Sequence, residues 1–242
     1  MFIAVPSYHR AVLFGKKTYK IIKASKSEAI TSVFVVQEEV EQYRALYPDI
    51  TFVVGVKGLL AQRKFIYDYY PEGSHILSID DDIDYLLTIK KERILDIRQL
   101  AKRGFEGCVK NDCRLWGIYP VANAYFMKEK DTTALKFCIG CFYGYIKKGD
   151  YVVMEYPFKD DYFITCSYYK ADGRVFRIND VAPKTKFLRG DSLEANAQGH
   201  DKAVDVLVSW FPLWAKKYYR KNGFPEVRLS DPESIDSSNS GF

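Results

Sequence analysis

Four short apolar runs rich in β-branched residues recur within residues 1–80: FIAVP (2–6), SVFVVQ (32–37), ITFVVG (50–55) and HILSID (75–80). Runs this short, bounded by polar and turn-forming residues, read as buried strands. The segments between them carry helical period. EEVEQYRALYP is acidic at its start and closed by Pro48, KGLLAQRKFIYDYYP is closed by Pro71, and TYKIIKAS (18–25) predicts a short helix. SYHRAVLFGKK, after the first strand, is polar enough to read as a loop. Strands alternating with helices predict a parallel sheet with right-handed crossovers, hence an α/β fold. Ligands of such sheets bind outside the carboxyl ends of the strands. Those ends carry Pro6 and Ser7–Arg10, Gln37, Gly55–Gly58, and the cluster Asp80, Asp81, Asp82 and Asp84.

The second half is less regular. DIRQLAKRGFEGCVK (96–110) and KDDYFITCSYYKADG (159–173) predict helices, the latter ended by Gly173. WGIYPVANAYFM (116–127), LKFCIGCFYGYIKK (135–148), YVVMEYPF (151–158) and VFRI (175–178) predict strands, with a turn at 128–134. Residues 180–199 lack a period and predict a loop. HDKAVDVLVSWFPLWAKKYYRKNGF (200–224) predicts a helix kinked at Pro212. With no repeat and no linker, residues 1–230 predict one domain, a Rossmann-like mixed sheet with helices on both faces. Residues 231–242 predict a polar, disordered tail.

Composition narrows the setting. Hydrophobic residues make up 48%, and no apolar run reaches the length of a membrane span. Pro6, His9 and Arg10 interrupt the apolar start, so the chain reads as cytoplasmic. A formal charge of +5 is too small for a nucleic-acid coat but suits an anionic substrate. Five cysteines, an odd number, read as reduced thiols. Cys138-x2-Cys141 has zinc-ligand spacing and Cys108-x4-Cys113 offers a second pair, yet the apolar stretch KFCIGCFYGY favours small buried residues.

The densest chemistry lies in ILSIDDDID (76–84), where a hydrophobic strand delivers three consecutive aspartates to a sheet edge. Adjacent carboxylates repel unless a cation or hydrogen-bond donors neutralise them. Mg2+ or Mn2+ shared with substrate phosphates is one solution, and a solvated acidic loop is the other. Several other residues suit the same site. Pro6, Ser7 and Arg10 would hold a nucleotide base and phosphate. Lys16 and Gly55 lie in neighbouring loops, and Arg63 stands on the first turns of a helix, where its planar donors suit a diphosphate. Asp160 and Asp161 in FKDDYF form a second acidic pair, either a general base or carboxylates at a helix start. His200 is one of three histidines and reads as a further metal ligand or a helix-start residue. WFPLWAKKYYRKNGF (210–224) suits a packing helix with a basic end, a stacking groove for a polyanion, or a membrane-surface helix. The loop after the first strand holds a single glycine, Gly15, unlike the Gly-rich basic loop of sugar-phosphate nucleotidyltransferases. It also lacks the G-x-G-x-x-G of dinucleotide folds.

The segments IAVPSYHR, GVKGLLAQRKFI, ILSIDDDI, LWGIYPVANAYFM, KFCIGCFYGY and PFKDDYF together resemble the TET/JBP-associated glycosyltransferase family, of GT-A type, over residues 2–200. The resemblance implies a GT-A fold and metal-dependent transfer from a nucleotide-diphosphate sugar, a UDP-sugar first among them. The implied acceptor is a hydroxyl, in phages the hydroxymethyl group of a modified pyrimidine in DNA, which would place a viral chain in the host cytoplasm. A glycan, lipid or protein acceptor is the alternative. Mapped onto this chain, it implies Mn2+ or Mg2+ on Asp82, with Asp80 and Asp81 serving ribose and metal-bound water. It further implies Asp161 as base with Asp160 before it, where such enzymes usually carry Glu, and His200 as the C-terminal metal ligand. One base implies inversion at the anomeric carbon.

Overall fold

The computed structural model describes residues 1–149, 158–185 and 197–231. Strands β1 (Phe2–Pro6), β2 (Thr31–Val35), β3 (Thr51–Val54) and β4 (His75–Ile79) form the expected parallel set. β7 (Phe142–Ile146) runs antiparallel to β4 and to β6 (Leu115–Ile118), and β8 (Phe176–Ile178) lies parallel to β6. The resulting seven-stranded order is β3-β2-β1-β4-β7-β6-β8. One antiparallel strand therefore leaves the carboxyl ends of β1, β4, β6 and β8 on a common edge.

Both faces of the sheet are covered, which is why its strands are apolar throughout. Ile3, Val5, Val33, Val35, Leu77 and Ile79 face one core, with Phe14 of α1 (Ala11–Lys16), Ile22 of α2 (Thr18–Ala24), Tyr43 of α3 (Val40–Leu46) and Phe105 of α5 (Ile97–Lys110). Ala4, Phe34, Ile76 and Tyr143 face the other, with Ile66 and Tyr67 of α4 (Leu59–Tyr69) and Ile164 of α6 (Asp160–Asp172). A third core joins Phe163 and Cys166 of α6 to α7 (Ala197–Trp210) and to the hairpin β10 (Ala215–Tyr219) and β11 (Pro225–Leu229). The fold is thus a Rossmann-like mixed α/β sheet with helices on both faces.

Several local expectations change. Residues 11–16 of the expected first loop are helical, because Ala11 and Phe14 find a buried face. The expected strands at 116–127 and 135–148 shorten to β6 and β7. Residues after Ile118 turn away over the sheet edge, and Leu135 and Cys138 are buried without joining the ladder. The acidic cluster is followed by a strand, β5 (Ile83–Thr88), paired antiparallel with β9 (Val181–Thr185) from the expected 180–199 loop. The 200–224 helix is corrected most. Pro212 lacks the amide a helix needs, so α7 stops at Trp210 and the chain forms a hairpin. Its turn carries Asn222-Gly223, with Gly223 at φ 78°. The strand expected at 151–158, most of the tail, and residues 186–196 of the expected loop lie outside the described residues.

Candidate functional site

The site forms where β1 and β4 end side by side. Ser7, just past β1, keeps the ladder: its backbone N–H donates a hydrogen bond to Phe34 O at 3.0 Å. Its hydroxyl donates to Asp81 Oδ2 at 2.5 Å and lies 2.7 Å from the Tyr43 hydroxyl. Arg10 donates from Nη1 to Asp81 Oδ1 at 3.2 Å and to Asp82 Oδ2 at 3.4 Å. Asp81 is therefore buried and turned toward β1. Burial pushes its carboxyl up, and Ser7 and Arg10 oppose that shift. Pro6 closes β1 directly before this contact. The turn after β4 is braced from both sides. Thr18 Oγ1 donates to Asp80 O at 2.6 Å and accepts from Ile83 N at 3.1 Å, while Asp80 N donates to Cys141 O at 2.9 Å.

Arg63 was expected to face a diphosphate. It is instead buried, 5% exposed, beneath the two acidic groups. Nη1 pairs with Asp160 Oδ2 at 2.5 Å, Nη2 approaches Asp80 Oδ1 at 3.7 Å, and Nη2 also donates to Gly140 O at 3.2 Å. The arginine thus joins the end of β4 to the first turn of α6. Burial raises Asp80 to about 7, with Asp82, Asp81 and Asp160 adding to the effect of burial and Arg63 opposing it. Asp161 is likewise raised to about 7 by burial and then by Asp160. Gly140 lies so close that a Cβ there would sit 3.1 Å from Asp161 Cβ.

Other expected residues lie further out. Lys16 is exposed, and its neighbour Lys17 makes the ion pair with Asp84. Gly55 ends β3, where a Cβ would meet the Gln62 amide at 2.3 Å. That amide instead accepts from Val56 N at 2.7 Å. The expected grouping of His200 with the aspartates is not seen. Its ring packs between Phe158 and Phe224, at 4.4 and 4.8 Å, in the third core. Tyr43, Thr18, Gly140, Cys141 and Glu39, which accepts from His9 N at 2.9 Å, complete the surroundings. Of these only Cys141 stood out in the sequence, and there for its spacing from Cys138 and not for this site.

Among the described residues no three His, Cys, Asp or Glu side chains gather as a closed metal cage. An open site fits the donor set better. Asp80 and Asp82 keep 32% and 26% of their side chains exposed, and Mg2+ or Mn2+ needs only one or two carboxylates when phosphates complete the shell. Burial first, and then the neighbouring carboxylates, raise the Asp80 carboxyl, a shift that a bound cation would oppose.

No protein-family model matches the chain, and no curated protein matches it. Among solved structures it resembles residues 1–349 of TarS from S. aureus, with a TM-score of 0.57 and 13% identity over 86% of this chain. It resembles full TarS with a TM-score of 0.59 and 13% identity. It also resembles the mannosyltransferase PcManGT from Pyrobaculum calidifontis, solved with GDP-Man and Mn2+, at a TM-score of 0.59 and 15% identity over 86% of this chain. The chain spans 65% of the TarS fragment, 64% of PcManGT and 39% of full TarS. At these identities the likeness shows the fold, and that fold is the Rossmann-like GT-A type.

Proposed function

We propose that the chain is a glycosyltransferase that moves a sugar from a nucleoside-diphosphate sugar to a hydroxyl acceptor. The observation that carries this reading is the union of an acidic triplet and an acidic pair distant in sequence. Asp80–Asp82 and Asp160–Asp161 meet on one sheet edge through the buried Arg63. The mannosyltransferase likeness, with its GDP-Man and Mn2+, supports the donor class and the cation.

In this reading Asp82 and Asp80 hold Mn2+ or Mg2+, with Asp80 serving the ribose as well. Asp81, held by Ser7 and Arg10, fixes the loop that receives the nucleotide. The cation supplies charge neutralisation for the departing diphosphate. Arg10, 45% exposed, adds a cationic group at the same mouth. Lys16 lies toward solvent beyond it. Arg63 holds Asp80 and Asp160 at a fixed separation. Asp161, beside Gly140 and raised to about 7, takes the proton from the acceptor hydroxyl, and a single base with direct attack inverts the anomeric centre. His200 lies in the third core and is left out of the cation's donor set. The acceptor that the TET/JBP-associated resemblance suggests is a 5-hydroxymethylpyrimidine in DNA. The donor it suggests first is a UDP-sugar.

The test is a panel of UDP- and GDP-sugars with Mn2+, read by release of nucleoside diphosphate and by thermal stabilisation. Asp82→Ala and excess chelator should each abolish release while the fold stays intact. Undiminished release under either condition would refute the cation site. Pyrophosphate formed from a nucleoside triphosphate and a sugar phosphate would instead mark a nucleotidyltransferase.

A further inference from the structure

The hairpin β10–β11 takes no part in the reading above, yet it reaches the helix turn that carries Asp160 and Asp161. Glu226 on β11 is 4% exposed. Its Oε1 pairs with Lys159 Nζ at 2.5 Å, and its Oε2 pairs with Arg220. The Val227 amide donates to Oε1 of the same carboxylate at 3.1 Å. Lys159 and Tyr162 flank the two aspartates along the chain.

The surroundings make this a rigid bracket. Lys159 caps α6 at φ 63° and ψ 22°, a left-handed conformation that a residue with a Cβ disfavours. Its ammonium lies 5.5 Å from the ring centres of both Tyr162 and Phe224. The Tyr162 ring stacks on Phe137 at 4.2 Å. Phe137 begins the segment whose Gly140 abuts Asp161 and whose Cys141 carbonyl receives the Asp80 amide. Burial pushes the Glu226 carboxyl up, but Lys159, the Val227 amide and Arg220 together more than offset it. A buried ion pair adds little net stability over an apolar replacement, so its use here is geometric.

We infer that Glu226 is a positioning residue for the base Asp161 and its neighbour Asp160. By holding Lys159, whose ammonium lies over the Tyr162 ring, it sets the direction in which Asp160 and Asp161 leave the first turn of α6. The inference rests on the transferase reading and extends it to the C-terminal hairpin.

Hydrolysis of GDP-mannose or UDP-glucose with Mn2+ by the full chain separates kcat from KM. Glu226→Gln should lower kcat about 10- to 100-fold, with donor KM changed less than about twofold. Glu226→Asp, which keeps the charge, should restore most of the rate. Lys159→Gly removes the same ion pair at a position whose φ of 63° suits glycine, so it covers the case where Glu226→Gln does not fold. It should lower kcat by about tenfold with donor KM changed less than about twofold. A wild-type kcat in Glu226→Gln or in Lys159→Gly overturns the inference, as does a fall in kcat matched by a rise in KM that Glu226→Asp does not rescue. Full turnover in both Asp160→Asn and Asp161→Asn overturns the acid–base reading and the inference with it. Lost turnover there, beside an unaffected Glu226→Gln, overturns the inference alone.

Discussion

Asp161 and Asp80 share an origin for their raised carboxyls: burial first, then neighbouring carboxylates, with Arg63 too little to compensate. The consequence for stability has a definite sign. Both groups hold a proton in the folded chain from about 4 to about 7, where the unfolded chain has already lost it. Stability of the free protein therefore falls as pH rises through that window. A melting-temperature series across the same range should show the decline, and Asp161→Asn should flatten it. Turnover should run the other way, rising toward pH 7 as the base ionises. Asp161→Asn should lower turnover about 10²- to 10⁴-fold while donor binding holds. A rate independent of pH in this range would move the base elsewhere. The acidic residues themselves were legible, since three aspartates after a strand are hard to neutralise without a ligand. The role of Arg63 was not. Its place on an early helical turn was expected, but its burial between two acidic groups depends on where α6 lands.

Among the elements, α5 shows how closely helix and sheet approach. Trp116 of β6 lies against Gly104, where a Cβ would sit 2.2 Å from the indole, and against Gly144 of β7, at 2.1 Å. Gly104→Ala should push the helix outward and destabilise the fold by about 1–3 kcal/mol in denaturant titration, with the donor site unchanged. A neutral result would mean that the indole can turn aside. Strand and helix periods were readable for β1 to β4, α4, α5 and α6, because each carries its own apolar pattern and its own closing residues. The hairpin was misread as a helix. Asn222-Gly223 and Pro212 were its signals, but the 200–211 helical period ran into them and masked the change. β5 and β9 escaped notice because each pairs with a partner distant in the chain.

For the whole molecule, the three cores divide the work. Two bind helices to the sheet, and the third ties α7 and the hairpin to α6. No described helix is long and apolar enough to cross a membrane. If the acceptor is DNA, its affinity should come from phosphate contacts and fall by roughly tenfold or more between ~50 and ~200 mM salt. Titration of hydroxymethylated duplex at several salt concentrations checks this, and a salt-insensitive affinity would point to another acceptor. Lys216, Tyr219 and Lys221 on the hairpin are exposed and are the first surface to probe in that assay.

The sequence by itself determined the parallel half of the sheet, the strand edge at which the aspartate triplet gathers, and the second acidic pair. These follow from local period and from the direction a strand runs, both carried by contiguous residues. Only the tertiary structure decided that the two acidic groups face each other across Arg63, that Asp81 turns inward to Ser7, and that a C-terminal hairpin grips the start of α6. Those facts depend on side chains far apart in the chain meeting in three dimensions, and no local pattern encodes the angle at which they meet.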